Sequence, residues 1–257
     1  SPDAQLAVVG CYATLRPSTS ASFPGVSWVI PNARKEYTTD IVAPESLSSY
    51  KKQGPDESAK TLRTRAFVKA QDGCDNHCTY CIIRSLRGPS RSRPLDDLIT
   101  ELQTLTDEAG CKEAVLTGAS LGAYGRDLGL SHGLRKLVRT ILAETDLARL
   151  RLSSLEPWDL DETFFELWDD PRLCRQIHVP LQAGSDVTLQ RMGRPITLEE
   201  FARLVRAGRD AIPGLAVTTD VLVGFPGEDE GAFRQSYAFV QQMAFAKLHV
   251  FPYSSRP

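Results

Sequence analysis

Residues 65–81 read RAFVKAQDGCDNHCTYC, so a strand-like segment leads directly into three closely spaced cysteines. RAFVKA has the aromatic and β-branched content of a short strand. The loop after it sets Cys74, Cys78 and Cys81 in a C-x3-C-x2-C pattern. Three thiolates this close either converge on one centre or repel one another. The pattern therefore predicts a metal centre at the end of a strand.

The number of cysteines bears on which metal is held. A structural zinc site needs four ligands, usually as two separated pairs, and His77 is the nearby candidate for the fourth. A [4Fe–4S] cluster bound by only three cysteines leaves one iron open for a substrate or cofactor. The cluster is the favoured interpretation, and zinc or inert thiols are the alternatives.

From residue 65 onward, strand-like runs alternate with helical patterns. The predicted strands cover 65–70, 113–118, 147–154, 175–181, 214–225 and 246–253. The predicted helices cover 94–110, 132–145, 159–168, 197–212 and 228–243, and Thr197 with Glu200 forms a capping-box pattern. This alternation indicates an α/β protein with a parallel sheet, closed as a partial (β/α)6 barrel. Such barrels carry their chemistry at the carboxyl ends of the strands.

The chain outside the barrel divides into two parts. Residues 1–31 contain two strand-like runs, QLAVVGC and VSWVI, and read as part of a smaller α/β domain. Residues 32–63 are polar, contain Pro44, Gly54 and Pro55, and are predicted as a linker. The barrel domain is then predicted over residues 64–257.

Composition excludes several classes of protein. The 257 residues are 42% hydrophobic and contain no apolar run of about 18 residues, so no membrane partner is predicted. Six cysteines are too few for a disulfide scaffold. The net charge of -2 excludes a chain that is basic throughout, but residues 51–93 hold ten basic and four acidic residues. That segment is either a solvated face or a basic rim for an anionic polymer.

CDNHCTYC resembles the signature of radical S-adenosylmethionine (SAM) enzymes, including an aromatic residue, Tyr80, before the third cysteine. The resemblance implies a [4Fe–4S] cluster held by Cys74, Cys78 and Cys81, with SAM on the open iron. It implies reductive cleavage of SAM to a 5′-deoxyadenosyl radical, which abstracts hydrogen from a substrate. It also implies a partial (β/α)6 barrel, in agreement with the strand count.

Other segments are similar to the methylthiotransferase branch of that superfamily. They include GCYA (10–13), RGPSRSRP (87–94), YGRDL (124–128), RLSSLEPWDL (151–160), HVPLQAGSDVTLQRMGR (178–194), TTDVLVGFPGE (218–228) and HVFPYSSRP (249–257). The subgroup they most resemble converts N6-threonylcarbamoyladenosine beside the tRNA anticodon to its 2-methylthio derivative. The resemblance implies tRNA and a low-potential electron donor such as flavodoxin or ferredoxin as partners, and a cytoplasmic location.

Three alternatives stand beside this interpretation. Two lie within the family: methylthiolation of isopentenyladenosine in tRNA, or of an aspartate in a ribosomal protein. The third belongs to another class, a zinc-bound nucleic-acid-binding module without catalysis.

The sequence departs from the family pattern at both ends. Members carry three cysteines for a second, auxiliary [4Fe–4S] cluster, and here only Cys11 corresponds to one of them. A C-terminal RNA-binding TRAM domain has no counterpart. Arg84, Ser120 and Ala183 stand where Pro, His and Ser are usual. We therefore expect a fragment, with the auxiliary cluster present only in the full-length protein.

The resemblance also implies roles for individual residues. Residues expected to bind or support SAM are Tyr80, Gly118, Ser154, Glu156, Gln182, Ser185 and Asp220. Tyr80 is expected to lie against the adenine, and Gly118 to leave room for SAM because it has no Cβ. Arginines expected to project at the rim and bind tRNA phosphates are Arg87, Arg91, Arg93, Arg191 and Arg194. No general base is expected, because hydrogen leaves as an atom. Cys111 and Cys174 are read as apolar fillers, and His178 and His249 as core residues.

Overall fold

The computed structural model describes residues 4–43 and 64–255, and the chain forms two compact units. The first unit comprises residues 1–61 and 82–89. The second comprises residues 62–81 and 90–257.

The first unit is built on two parallel strands, β1 (Leu6–Gly10) and β2 (Val26–Pro31). Its helices are α1 (Cys11–Leu15), α2 (Pro17–Ala21), α3 (Thr38–Val42) and α4 (Ile83–Arg87), with a 3-10 helix at Asn32–Tyr37. The two strands predicted for this part of the chain are therefore present.

The predicted linker differs from the structure over residues 32–42, which form the 3-10 helix and α3. The segment is tied to the unit because the buried Asn32 donates its backbone N–H to Thr14 Oγ1 at 2.7 Å. Polar composition predicted a linker here, but that hydrogen bond ties the start of the segment to the unit. Residues 44–63 of the predicted linker lie outside the described residues.

The described residues of the second unit form eight strands. They are β3 (Arg65–Lys69), β4 (Gln71–Asp72), β5 (Arg91–Ser92), β6 (Glu113–Thr117), β7 (Arg149–Leu152), β8 (Gln176–His178), β9 (Ala216–Val223) and β10 (Lys247–Pro252). Strands β3, β6 and β7 pair in parallel, and so do β8, β9 and β10.

A hydrogen bond from Leu155 N–H to His178 O, 2.9 Å long, continues the pairing from the end of β7 to β8. Six parallel strands thus follow one another in sequence order, and the predicted α/β partial barrel is confirmed. Strands β4 and β5 add a short antiparallel ribbon that the sequence did not predict.

Five α-helices and three 3-10 segments connect the strands of this unit. They are α5 (Leu95–Asp107), α6 (Gly133–Glu144), α7 (Asp186–Arg191), α8 (Leu198–Ala211) and α9 (Glu230–Met243), with 3-10 helices at Leu121–Ala123, Pro157–Asp159 and Glu162–Asp169. Four of the five predicted helices are confirmed, as is the Thr197–Glu200 capping box. The longest helices have 14 residues, so none in the described part of the chain has the length and apolar character to cross a bilayer.

The helix predicted over residues 159–168 is instead the 3-10 helix Glu162–Asp169. Asp161 caps it by accepting the N–H of Phe164 at 2.9 Å. The tighter winding buries Phe164, Phe165 and Trp168, whose rings contact one another. Tertiary packing of these rings therefore decides the winding of this short segment.

One apolar core joins the strands to the helices. Alternate residues of the inner strands, such as Leu116 and Leu150, are fully buried, and helices α5, α6 and α8 cover them with Leu98, Leu137 and Phe201. This core fixes the positions of the loops that follow each strand.

Candidate active site

The trithiol loop, which we define as residues 73–81, follows β4 at the carboxyl end of the first barrel strand. Thr79 anchors it, because its N–H donates to Met192 O and its hydroxyl to Arg191 O, both at 3.0 Å. A Cβ on Gly193 would lie 3.0 Å from His77 O. The turn after α7 therefore holds the loop by backbone contacts, and glycine is needed for the close approach.

The buried side chain of Gln71 organises the start of the loop. Its Nε2 lies 3.0 Å from Asp72 O, 2.8 Å from Gly73 O and 2.8 Å from Ser90 Oγ. Its Oε1 accepts the N–H of Ser120 at 2.9 Å. One amide thus links the cysteine loop to β5 and to the loop after β6.

Gly118 lies at the end of β6, where room for SAM is expected. A Cβ on Gly118 would lie 2.8 Å from Gln71 Oε1 and 3.1 Å from Leu121 Cα. The glycine is therefore required by the packing of Gln71, and its contact with SAM stays a prediction.

All three cysteines of the loop are free, with Cys74 and Cys78 half-buried and Cys81 exposed. Burial raises the pKa of Cys74 and of Cys78, and a charge on Cys81 raises both further. Hydrogen bonds from the Asn76 backbone and with Ser120 partly offset this rise in pKa for Cys74, and the charge of Arg194 does so for Cys78. Thiolates so placed need a positively charged partner, and metal binding supplies one.

The spacing of the thiols fits a cluster better than a single zinc ion. Zinc ligands at 2.3 Å in a tetrahedron lie about 3.8 Å from one another. In the described residues, one group brings three potential metal-binding atoms within 4.8 Å of one another, and it consists of His178, Asp220 and His249. The three cysteines do not form such a group. Three thiolates in one loop are a donor set that an iron–sulfur cluster takes, so the residues present fit that group by their chemistry.

Arg194 lies at the centre of the site, and its side chain is 0% exposed. Its Nη2 contacts Glu156 Oε2 at 2.9 Å and Pro180 O at 2.6 Å, and its Nη1 contacts the Tyr80 hydroxyl at 3.2 Å. The guanidinium lies 4.7 Å above the ring of Trp158. The expectation that Arg194 projects at the rim was wrong, because the turn after α7 directs it inward to a carboxylate.

Tyr80 and Glu156 both contact Arg194 from inside the site. Tyr80 packs against an apolar cluster formed by Ala183, Leu189, Met192 and Phe225. Burial raises the pKa of Tyr80, so its hydroxyl stays protonated. Burial also raises the pKa of Glu156, against the opposing effect of Arg194, and the negative charges of Asp159 and Asp220 add to the rise.

Asp220, on β9, lies between two histidines from the neighbouring strands. Its Oδ2 is 3.2 Å from His178 Nε2, and its Oδ1 is 3.2 Å from His249 Nδ1. Burial alone would raise the pKa of Asp220, but hydrogen bonds and charge from the two histidines outweigh burial and lower it. His178 is also fixed through Nδ1, which lies 2.9 Å from Thr218 Oγ1.

The two histidines differ in exposure, with 12% for the side chain of His178 and 45% for that of His249. The reading of His249 as a core residue was wrong, because β10 is the edge strand of its sheet and all six of its residues are exposed. The apolar neighbours of His249 in the sequence gave no sign of an edge position.

The remaining residues expected to bind SAM follow β7 and β8. Ser154 is exposed, Glu156 is held as described, and Ser185 is buried at the start of α7. Gln182 has a left-handed backbone with φ 73°. It keeps this conformation because it pairs with β9 through Asp220 O and the N–H of Leu222, both at 2.8 Å. Tyr80 and Glu156 both contact Arg194, whereas Asp220 contacts the two histidines, and the SAM contacts of all these residues stay predictions.

The arginines predicted to bind phosphate are in different situations. Arg91 and Arg191 are exposed, and Arg191 donates to Gly227 O. Arg93 is paired with Glu101 at 2.6 Å and donates to Lys69 O at 3.1 Å. Arg87 lies half-buried in α4 of the first unit. The structure therefore leaves Arg91 and Arg191 at the surface of the second unit.

Cys11 begins α1, and its Sγ lies 3.8 Å from Asn32 Oδ1. It is the one cysteine that the sequence places in the first unit. Cys111 and Cys174 are buried, as predicted for apolar fillers.

Several residues that build the site gave only a weak signal in the sequence. Gln71 is a polar residue directly after a strand, which is the position of functional residues in such barrels. Trp158 and Ser120 lie in loops after β7 and β6 and follow the same rule. The rule finds the positions, but the sequence alone does not show which polar groups pair with one another.

The second unit is a partial α/β barrel of six parallel strands, with a three-cysteine loop and convergent polar side chains at the carboxyl ends of the strands. Residues 68–240 match the Radical SAM superfamily, and the chain belongs to this family. Membership implies a [4Fe–4S] cluster and SAM as cofactors.

Relatives are found among both sequences and structures. The chain is 38% identical, over 100% of its length, to the threonylcarbamoyladenosine tRNA methylthiotransferase MtaB of Bacillus subtilis, of which it covers 59%. It is 35% identical, over 100% of its length, to the tRNA-2-methylthio-N6-dimethylallyladenosine synthase of a Parafrankia species, of which it covers 54%. The radical SAM methyltransferase TsrM of Kitasatospora setae shares the fold, with a TM-score of 0.59 and 22% identity over 73% of this chain and 35% of that one.

Proposed function

We propose that this chain is the radical SAM part of a tRNA methylthiotransferase that modifies N6-threonylcarbamoyladenosine next to the anticodon at carbon 2. The observation that carries the proposal is the trithiol loop at the barrel's strand ends, in a chain 38% identical throughout to a protein of that name. The chain spans about 60% of that relative's length, so the activity of the whole protein is part of the proposal.

Cys74, Cys78 and Cys81 would hold the [4Fe–4S] cluster through their thiolates. When bound, the cluster and SAM supply the one-electron chemistry that removes a hydrogen atom from carbon 2 of the base, with an electron from a low-potential donor such as flavodoxin or ferredoxin. Tyr80, Gly118, Ser154, Gln182 and Ser185 would contact SAM.

Arg194 and Glu156 have a positioning role in this proposal. Together they fix the hydroxyl end of Tyr80 and the loop after β7. The auxiliary cluster needs two further thiols besides Cys11 and belongs to a longer protein. The cytoplasmic location also stays a prediction.

A second candidate is the same reaction on isopentenyladenosine, that is, N6-dimethylallyladenosine. It is favoured by the 35% identity, across the whole chain, to a synthase named for that nucleoside. Both candidates share the cluster, SAM and an adenosine of the anticodon loop.

The test begins with anaerobic reconstitution followed by iron and sulfide analysis. We expect about four irons per chain with labile sulfide, and 5′-deoxyadenosine from SAM under dithionite. The variant with Cys74→Ala, Cys78→Ala and Cys81→Ala should lose both, whereas the matched control Cys111→Ala, at a buried cysteine outside the loop, should keep both. One zinc without sulfide, or undiminished 5′-deoxyadenosine from the triple variant, would overturn the proposal.

A further inference from the structure

A row of polar side chains crosses the strand ends of the barrel. It begins at Tyr80, beside the cysteines, and continues through Arg194 and Glu156. It ends in the triad of Asp220, His178 and His249. The exposed fraction of the side chain is 0% for Arg194, 21% for Glu156, 12% for His178, 22% for Asp220 and 45% for His249. His249 is therefore the end of the row that a bound molecule meets first.

The hydrogen bonds of His249 leave one ring nitrogen available. Nδ1 lies 3.2 Å from Asp220 Oδ1. In the described part of the chain, Nε2 has no hydrogen-bond partner. Asp220 holds the ring from β9, and the ring of His178, 5.6 Å away between centroids, flanks it from β8. The ring is thus oriented by its neighbours, and Nε2 is left for another partner.

We propose that His249, oriented by Asp220, binds the carboxylate of the threonylcarbamoyl group and so selects this nucleoside over one with a hydrocarbon substituent. The inference rests on the proposed function and deepens it. A threonine joined to the base through its amino group keeps a free carboxylate and a hydroxyl. A dimethylallyl group offers only carbon and hydrogen at the same position.

The charges facing His249 are consistent with an anionic ligand. Glu156 is neutralised by Arg194, at 2.9 Å, and does not compete for the histidine. Asp220 receives contacts from both imidazoles, and Thr218 adds a neutral hydroxyl beside His178. A carboxylate on Nε2 requires a protonated imidazole, whose charge is shared between the ligand and Asp220.

The same row disfavours a hydrocarbon substituent. Packed against His249, a dimethylallyl group would remove water from Nε2 and from the Asp220 carboxylate without replacing the hydrogen bonds. A site built to hydrogen-bond its substrate rejects an analogue that lacks the group more strongly than an apolar pocket does. His249 therefore selects against the dimethylallyl group without a steric clash.

The test measures the affinity of the reconstituted chain for three anticodon-loop RNAs in EDTA, which excludes a cation held by the triad. The RNAs carry N6-threonylcarbamoyladenosine, its carboxyl methyl ester, or N6-dimethylallyladenosine. The wild-type chain should bind the acid roughly tenfold or more tightly than the ester, as expected for a charge-assisted hydrogen bond. His249→Phe should bind acid and ester equally, and the dimethylallyl RNA at least as well as wild type does.

The control is Leu248→Phe, which adds a ring on the opposite face of the same strand. It should keep the wild-type preference for the acid. If His249→Phe also keeps that preference, the role of His249 is overturned and the proposed function stands. If the wild-type chain shows no preference for the acid over either analogue, both the role of His249 and the proposed substrate are overturned.

Discussion

The two ends of the barrel strands use charged residues in opposite ways. At the amino ends, Glu113 of β6 is surrounded by three arginines, with Arg65 at 2.8 Å, Arg149 at 3.0 Å and Arg151 at 2.9 Å. Arg151 also donates to Gln176, the first residue of β8, at 2.9 Å. Four neighbouring strands are thereby joined through side chains at their starts.

The carboxyl ends hold a buried pair, Arg194 and Glu156, and the triad of Asp220 with two histidines. At this end, some polar atoms of the described residues have no hydrogen-bond partner. In the described residues, Arg194 Nε is buried without a hydrogen-bond partner, His249 Nε2 has none, and the three thiols are free. An unpartnered polar atom is costly to bury, so the retention of Arg194 Nε at this end indicates use by a ligand.

The charged residues at the amino ends of the strands therefore serve stability, and those at the carboxyl ends serve function. Interlocked ion pairs at the amino ends satisfy one another and need nothing from outside. Groups at the carboxyl ends are held in place by neighbours but keep unused hydrogen-bonding capacity, as expected for the functional end of such barrels.

The largest effect is expected from Arg194→Met, which would leave Glu156 in the site without its partner. Breaking a buried ion pair from one side costs about 3 kcal/mol in the free energy of unfolding. Urea denaturation monitored by circular dichroism measures the loss. Removing both charges, in Arg194→Met with Glu156→Leu, should recover most of it, because two apolar side chains replace the pair. A double variant no more stable than the single one would contradict this account.

A smaller effect is expected from Glu113→Gln, about 1 kcal/mol near neutral pH, because its arginines are partly exposed. Burial opposes the ionised form of Glu113, but hydrogen bonds and charge from Arg151, Arg149 and Arg65 lower its pKa. An acid with a lowered pKa in the folded state stabilises above its ordinary pKa of 4.5, and this contribution is lost as pH falls further.

The difference in unfolding free energy between wild type and Glu113→Gln should therefore shrink below about pH 4.5. Glu156 has a raised pKa, so acidification should act on the opposite end of the strands with the opposite sign. A difference between wild type and Glu113→Gln that is independent of pH would show that the ion pairs at the amino ends contribute nothing.

The sequence predicted the six parallel strands because each carries a short apolar run between clear helical patterns. It predicted the metal loop because three cysteines at fixed spacing are rare without a shared centre. It did not predict the direction of Arg194 or the exposure of His249. Both depend on tertiary context: a carboxylate from another loop in the first case, and an edge position in the second.

The ribbon β4–β5 and the helix over residues 38–42 were also missed. Gln71–Asp72 and Arg91–Ser92 have no apolar alternation, and they pair because Gln71 bonds to Ser90 and Ser92 bonds to Asp127. Short polar segments of this kind are fixed by side-chain hydrogen bonds with distant residues, which periodicity does not reveal.

The smallest effect is expected from Arg91→Ala, measured as the salt dependence of anticodon-loop RNA binding. Arg91 is exposed and makes no ion pair with a described residue, so it is available to a phosphate. Each phosphate of a single strand that is neutralised contributes about 0.7 to the slope of log affinity against log salt, and Arg91→Ala should reduce the slope by about that amount.

Arg93→Ala should leave the slope nearly unchanged, because Arg93 is already paired with Glu101. Arg206→Ala, which removes an exposed arginine on α8, is the matched control for a general change in charge. Equal slopes for wild type, Arg91→Ala and Arg206→Ala would show that the RNA does not pass over β5, and the exposed arginine there would be only a solvated residue.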